Sequence, residues 1–408
     1  MQQNITANKW VRLLAFAFIV SYLYVISRSV HLRGYDDDQF FLAIFNSGEM
    51  LKRAFERYFT WTGRVTIELL MTSTIGYPSV WKIGIPASVL LLCFSISRIA
   101  FGKARLVQVG MVVLLFASIP SAINDDSSWW VTGFYNYLLP VSLAFYAFSV
   151  SYLGIERYTE RLMCIISVFV FSYMEQAGIV YIISLLLLIF LCKRSRNTFN
   201  IFILSLSVVN FVVCIKAPGN ENRMLLETWS WYPQYQAYGV INKLSLGFDK
   251  LHNLMTMSNN IPLIFLCSIV VYVQSLRNDN SLALRASMFV LITFIALSLV
   301  NSFTGFFYNK SFFFHYYLSS SNWSSAKIYI SYFYFFVVIS SMFTIFIDMV
   351  SRSEKMILAP IMLLLGFMTV TMMGMTPTVY ASGLRVDFIF ECMCIASGCY
   401  IIKSISAN

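Results

Sequence analysis

"WVRLLAFAFIVSYLYVISRSV", residues 10–30, decides the class of this protein. A helix that crosses a bilayer needs roughly 20 mostly apolar residues, and this run has that length. No small-residue cleavage site follows it, so Trp10 to Val30 reads as a retained span and not as a signal. Directly after it comes "RGYDDDQFF", residues 33–41, with three consecutive carboxylates, Asp36, Asp37 and Asp38. A first helix that opens onto such a cluster of negative charge poses the question that the rest of the sequence must answer.

The composition agrees with the first run. Of 408 residues 58% are hydrophobic and 12% charged, and the mean hydropathy is +0.71. Soluble domains carry about 25% charged residues. The chain is therefore an integral membrane protein. Its net charge of +10 comes from basic residues scattered between apolar runs. That is a topology signal and not a nucleic-acid footprint. All eight cysteines, from Cys93 to Cys399, lie inside apolar runs, which argues against a disulfide framework. His31, His252 and His315 are too dispersed for a metal site or a histidine-based catalytic arrangement.

Twelve spans read from the sequence, near 10–30, 79–100, 105–121, 134–153, 162–174, 177–192, 198–215, 260–276, 286–304, 328–349, 356–373 and 386–402. The pair at 162–192 is short and forms a tight or re-entrant hairpin with Glu175 at its tip. Residues 64–78 offer a further, partly embedded helix. Orientation follows the basic residues of the short loops. Arg98, Lys103 and Arg105, Lys193, Arg194 and Arg196, and Arg352 and Lys355 gather on one side, which is taken as cytoplasmic. Short loops on the other side hold only Lys310, Lys327 and Arg385. The expected fold is all-α and polytopic, a single membrane domain over 1–408, with both termini inside. Two long segments, about 31–78 and 216–259, lie outside. There is no P-loop.

The outer segments carry the chemistry. Met50, Leu51, Ala54, Phe55, Tyr58 and Phe59 fall at helical spacing, with Lys52, Arg53, Glu56 and Arg57 on the other face. This predicts an amphipathic interfacial helix whose arginines contact headgroups. "NDDSSWWVTGFYNYLLP", residues 124–140, places Asp125 and Asp126 before Trp129 and Trp130, with Asn136 and Tyr137 behind them. Such tryptophans suit a membrane interface, and equally the flat face of a sugar. Glu175, in "SYMEQAG", is either functional or ion-paired to an outer arginine. "KAPGNENR", residues 216–223, brackets a turn with Lys216 and Arg223, and its amides, Asn220 among them, suit an anion. Arg385 either snorkels to headgroups or holds a lipid phosphate.

Acids, cations and aromatics thus share one face. A hydroxyl that attacks an activated sugar needs a carboxylate to take its proton. A departing phosphate needs positive charge. Carboxylates also bind hard divalent cations, so the Asp triplet leaves a metal cofactor open.

Taken in order, "YDDDQF", "WTGR", "WWVTGFYNYLLP", "YMEQAG", "KAPGNENR" and "TPTVYASGLR" resemble a bacterial family of multispanning membrane proteins. That family is similar to GT-C type glycosyltransferases and includes phage- and island-borne O-antigen glucosyltransferases that convert serotype. The resemblance covers the chain from Asp36 to Arg385. It implies an inner-membrane enzyme that takes glucose from undecaprenyl phosphate-glucose and adds it, on the periplasmic face, to lipid-linked O-antigen repeat units. It places an essential acid in the first outer loop, hence among Asp36, Asp37 and Asp38, with Asp37 or Asp36 the expected base. Arg64, Lys216, Arg223 and Arg385 are the expected phosphate holders. Asp125, Asp126 and Glu175 are expected to bind sugar hydroxyls or to hold the arginines, with Trp130, Asn136 and Asn220 completing the substrate set. Many GT-C enzymes carry a large soluble C-terminal domain; here recognition of the acceptor is expected to rest on the outer loops. Two alternatives stand beside this reading. An O-antigen polymerase would rely on paired arginines, and a flippase for a lipid-linked sugar would line its path with charges at the bilayer midplane.

Overall fold

The computed structural model describes residues 9–256, 259–277, 281–305 and 326–406. Lys310, His315 and the side chain of Lys327 lie outside them. Every regular element among the described residues is helical. Each of the twelve runs read as spans is built on a helix, but these helices differ in length. Among the described residues, six helices are long and apolar enough to cross a membrane, or eight if each of two bent pairs counts as one span.

Contacts divide the chain into two compact units, residues 1–114 with 121–227 and residues 115–120 with 228–408. The first begins with α1 (Lys9–Ser29) and then α2 (Asp36–Ser47), a helix the sequence reading left as loop. Its cause is local. Asp36, Asp37 and Asp38 form its first turn, where carboxylates favour the positive helix end. Gly48, at φ 72°, ends it in the left-handed conformation that glycine adopts freely. The chain enters α2 through Asp36 at φ 61°, a region that Asp tolerates better than most residues.

Next come α3 (Met50–Thr60), α4 (Val65–Thr74) and α5 (Pro78–Phe101), the last opened by a proline and closed by Gly102 at φ 76°. On α3 the row Leu51, Phe55 and Phe59 is exposed while Ala54 is buried. Then α6 (Leu106–Ala117) turns by 92° into the segment Ser121–Trp129, so the run at 105–121 is a broken helix. Two π-helical turns, Asp125–Trp129 and Phe134–Leu138, flank Val131, Thr132 and Gly133. Such turns widen the helix by a residue and re-aim side chains. The unit continues with α7 (Leu139–Leu153), α8 (Tyr158–Phe171), α9 (Glu175–Leu191), α10 (Thr198–Ile215) and α11 (Pro218–Trp231), whose last residues belong to the second unit.

The second unit holds α12 (Val240–Thr256), α13 (Ile261–Ser275), α14 (Leu282–Thr304), α15 (Ala326–Arg352), α16 (Leu358–Thr371) and α17 (Phe388–Ser406). The sequence reading placed 240–256 in an outer segment and named no helix there; that stretch is α12, and together with α13, which lies at 78° to it, it has the length and apolarity of a broken span or a re-entrant loop. One reason α12 is buried is visible in its glycine. A Cβ on Gly247 would lie 2.0 Å from the Thr371 carbonyl oxygen, and one on Gly374 would lie 2.1 Å from that of Lys243. The helix therefore touches the turn after α16 backbone to backbone. From Phe388 to Ile401 the side chains of α17 are buried, Glu391 among them. Replacing Gly247 by alanine is expected to destabilise this unit by about 1–3 kcal/mol, the usual range for overpacking. Thermal unfolding of the purified protein in mild detergent measures it, with exposed Gly239→Ala, whose Cβ would meet nothing, as the control.

Candidate functional site

Five of the sequence motifs fall in the first unit and meet in one network. Its anchor is Asp38, which is fully buried. Oδ1 accepts from the Thr132 backbone N–H at 2.9 Å and from the Thr132 hydroxyl at 2.6 Å. Oδ2 accepts from the Arg33 backbone N–H at 2.8 Å. Both oxygens of this buried side chain are thus met by donors of the protein itself. The π-turns on either side of Thr132 are what aim its N–H and hydroxyl at the same oxygen. Asp36 and Asp37, on the same helical turn, are exposed. The triplet therefore divides into one locked carboxylate and two at the surface.

Arg33 closes the same corner. Its Nη2 donates to the Asp126 carboxylate at 2.8 Å and to the Asp125 carbonyl at 3.0 Å. Its guanidinium lies 4.9 Å from the centre of the Trp130 ring. Asp126 thus holds an arginine, and Trp130 is buried beneath that arginine, while the Asp125 side chain is exposed.

Arg64 is the second anchor. Its Nε and Nη2 donate to Glu175 at 3.0 and 2.5 Å, and Nη1 donates to the Asn136 side-chain oxygen at 3.0 Å. Asn136 in turn donates to the Thr132 carbonyl at 3.0 Å, which joins this group to Asp38. Burial opposes the Arg64 charge, and Glu175 more than offsets it, so the guanidinium is held protonated above its ordinary range. Of the two roles left open for Glu175, the geometry supplies the ion pair.

"WTGR" and "KAPGN" touch through their main chains. A Cβ on Gly63 would lie 1.9 Å from the Cys214 carbonyl oxygen, and one on Gly219 would lie 2.3 Å from the Trp61 nitrogen. Asn220 sews the seam by accepting from the Gly63 N–H at 3.0 Å and donating to the Cys214 carbonyl at 2.8 Å. Its amide is therefore spent on the scaffold. Lys216 stands exposed at the C-terminal end of α10, a favourable place for a cation. Arg223 pairs with Glu227 at 2.8 Å and lies over the Trp61 ring at 5.6 Å.

Two residues of this network escaped the sequence reading, Arg33 and Glu68. Arg57, read as a headgroup contact, turns inward. It makes a two-pronged ion pair with Glu68, at 2.8 and 2.7 Å, and lies over the rings of Phe40, Phe41 and Trp61. The signal was a glutamate inside the apolar stretch of α4, which demands a cation nearby. Arg53 does stay at the surface, paired with Glu49 and Glu56. Arg385 belongs to the second unit, in the turn before α17.

No family model, curated protein or solved structure matches this chain.

The Arg64–Glu175 pair is mostly shielded from water, with side chains 18% and 23% exposed. Arg64→Met is expected to cost on the order of 3 kcal/mol, because it strands Glu175. The double variant Arg64→Met/Glu175→Leu is expected to recover most of that loss. Chemical unfolding of the two variants in detergent tests this, and an equally unstable double variant would show that the pair does not hold the network.

Proposed function

We propose that this chain is a membrane glycosyltransferase. It moves a sugar, with glucose the first candidate, from undecaprenyl phosphate-sugar to lipid-linked O-antigen repeat units. The reading includes a bacterial inner-membrane location, twelve spans with both termini inside, and a site on the periplasmic face. The observation that carries it is the division of the Asp triplet. Asp38 is buried under three donors, which fixes the first turn of α2, and the same turn holds Asp36 and Asp37 at the surface. An acceptor hydroxyl can reach those two and cannot reach Asp38.

In this mechanism Asp36 or Asp37 takes the proton of the acceptor hydroxyl as its oxygen attacks the anomeric carbon. The bond from that carbon to the phosphate oxygen breaks on the opposite face, so the configuration inverts. The polyprenyl phosphate leaves with its charge met by Lys216 and Arg223. Arg64, Glu175, Asn136 and Asn220 act from behind by holding the loops. A divalent cation, in a metal-dependent version, would sit on Asp36 and Asp37, whose carboxylates are at the surface, and would steady the phosphate. The exposed Leu51, Phe55 and Phe59 of α3 lie against the membrane surface, where a lipid-linked donor arrives.

One observation favours a second reading, passage of a lipid-linked sugar through the protein. The second unit buries Asp249, Lys250, Asp387 and Glu391 completely or nearly so, and charges at membrane depth mark transport paths.

The test is transfer of radiolabelled glucose from polyprenyl phosphate-glucose to lipid-linked O-antigen in membranes of matched expression. Wild type is expected to transfer. Asp36→Asn or Asp37→Asn is expected to lose about 100-fold or more, while Asp38→Asn is expected to lose folded protein in step with activity. Longer O-antigen chains without transfer point to a polymerase. Movement of the labelled lipid across vesicles without transfer points to the second reading. Full activity in both the Asp36 and the Asp37 variant removes the proposed base.

A further inference from the structure

Asp387, which ends the turn leading into α17, and Glu391, in the first turn of α17, lie four residues apart, and both are 0% exposed. That spacing puts them on one face of the helix. Their partners are unequal to two negative charges. Glu391 Oε1 accepts one bond, from the Asn260 side-chain amide at 3.1 Å. Glu391 Oε2 accepts none, and neither oxygen of Asp387 accepts a hydrogen bond. The nearby cation is Lys250, itself 1% exposed, whose ammonium is 3.6 Å from Asp387 Oδ2 and donates to the Gly383 carbonyl at 2.8 Å.

A buried carboxylate stays ionised only against a cation or several donors. One ammonium balances one carboxylate. The third buried acid of this region, Asp249, is served separately: it accepts from the Tyr332 hydroxyl at 2.6 Å and the Tyr380 hydroxyl at 2.7 Å. The other ionisable neighbours do not fill the gap. Cys267 on α13 and Cys394 on α17 bring no positive charge, α16 carries no ionisable side chain, and the ion pair and hydrogen bond of the two acids go to Lys250 and Asn260 and not to Arg385 in the preceding turn. His252 on α12 is turned to the Ser331 hydroxyl at 2.6 Å. One positive charge is therefore missing, in a place walled by apolar helices. Among the described residues no three Cys, His, Asp or Glu side chains are placed to hold a metal ion. The cation that fits is the smallest one.

We propose that Asp387 and Glu391 form a proton-binding site, in which Glu391 carries a proton on Oε2 and Asp387 remains ionised against Lys250. This inference is independent of sugar transfer and uses none of the residues assigned to it. With the proton in place the cluster is neutral: one ammonium, one carboxylate and one carboxylic acid. Without it the cluster carries a net negative charge that no other group among the described residues meets, so loss of the proton must move Lys250 or open the site to water.

Infrared spectra of the full-length protein in nanodiscs at pH 7 test this. A carbonyl band of protonated carboxyl, sensitive to exchange into heavy water, is expected in wild type. It is expected to vanish in Glu391→Gln. It is expected to grow in Lys250→Met, because Asp387 then takes a proton as well. Glutamine has the shape and neutrality of a protonated glutamate, so Glu391→Gln is expected to fold and melt like wild type. A wild-type spectrum without the band, or a band that persists in Glu391→Gln, overturns the proposal. So does a Glu391→Gln variant that fails to fold while Glu391→Asp folds.

Discussion

Arg64 is the residue on which the first unit turns. Its guanidinium is flat and forked, so it bonds Glu175 along one edge and Asn136 along the other. Those partners stand on segments that are far apart in sequence. Asn136 passes the connection to the Thr132 carbonyl, and Thr132 passes it to Asp38. A chain of fixed dipoles thus runs from the start of α9 to the first turn of α2. Each member would be expensive to bury alone, and each is stabilised by the next.

The two units solve the same electrostatic problem with different means. In the first, arginines meet carboxylates with several short bonds apiece, as in Arg57 with Glu68 and Arg64 with Glu175. In the second, Asp249 is met by two phenols, and burial together with that carboxylate pushes the Tyr380 hydroxyl up, which keeps it a donor. Hydroxyls solvate an anion without bringing a charge of their own.

Much of this arrangement was legible before any coordinates. Long apolar runs fix helices because a bilayer leaves backbone groups no other partner, and each run read as a span is helical. The acids, amides and arginines of the outer motifs were also visible as unusual residues in an apolar chain. What the sequence hid was pairing. Nothing local says that Arg64 belongs to Glu175, or that Arg57 turns away from the lipid toward Glu68. Helix α2 was missed because its apolar residues run consecutively from Phe40 to Phe45, with no helical spacing to mark a stripe, and its two ends are set by the Asp turn and by Gly48. The helix at 240–256 went unread for a related reason. Asp249, Lys250 and His252 look like loop residues until their partners on other helices are known.

The seam between "WTGR" and "KAPGN" has a mechanical consequence. Gly63 and Gly219 bring two loops so close that main chain rests on main chain, and Asn220 fastens them from both sides. Contacts of that kind have no soft side chain to absorb a displacement. The two loops therefore travel as one lever. Any ligand that pulls on Lys216 pulls on Arg64 as well, and through Arg64 on the turn that presents Asp36 and Asp37.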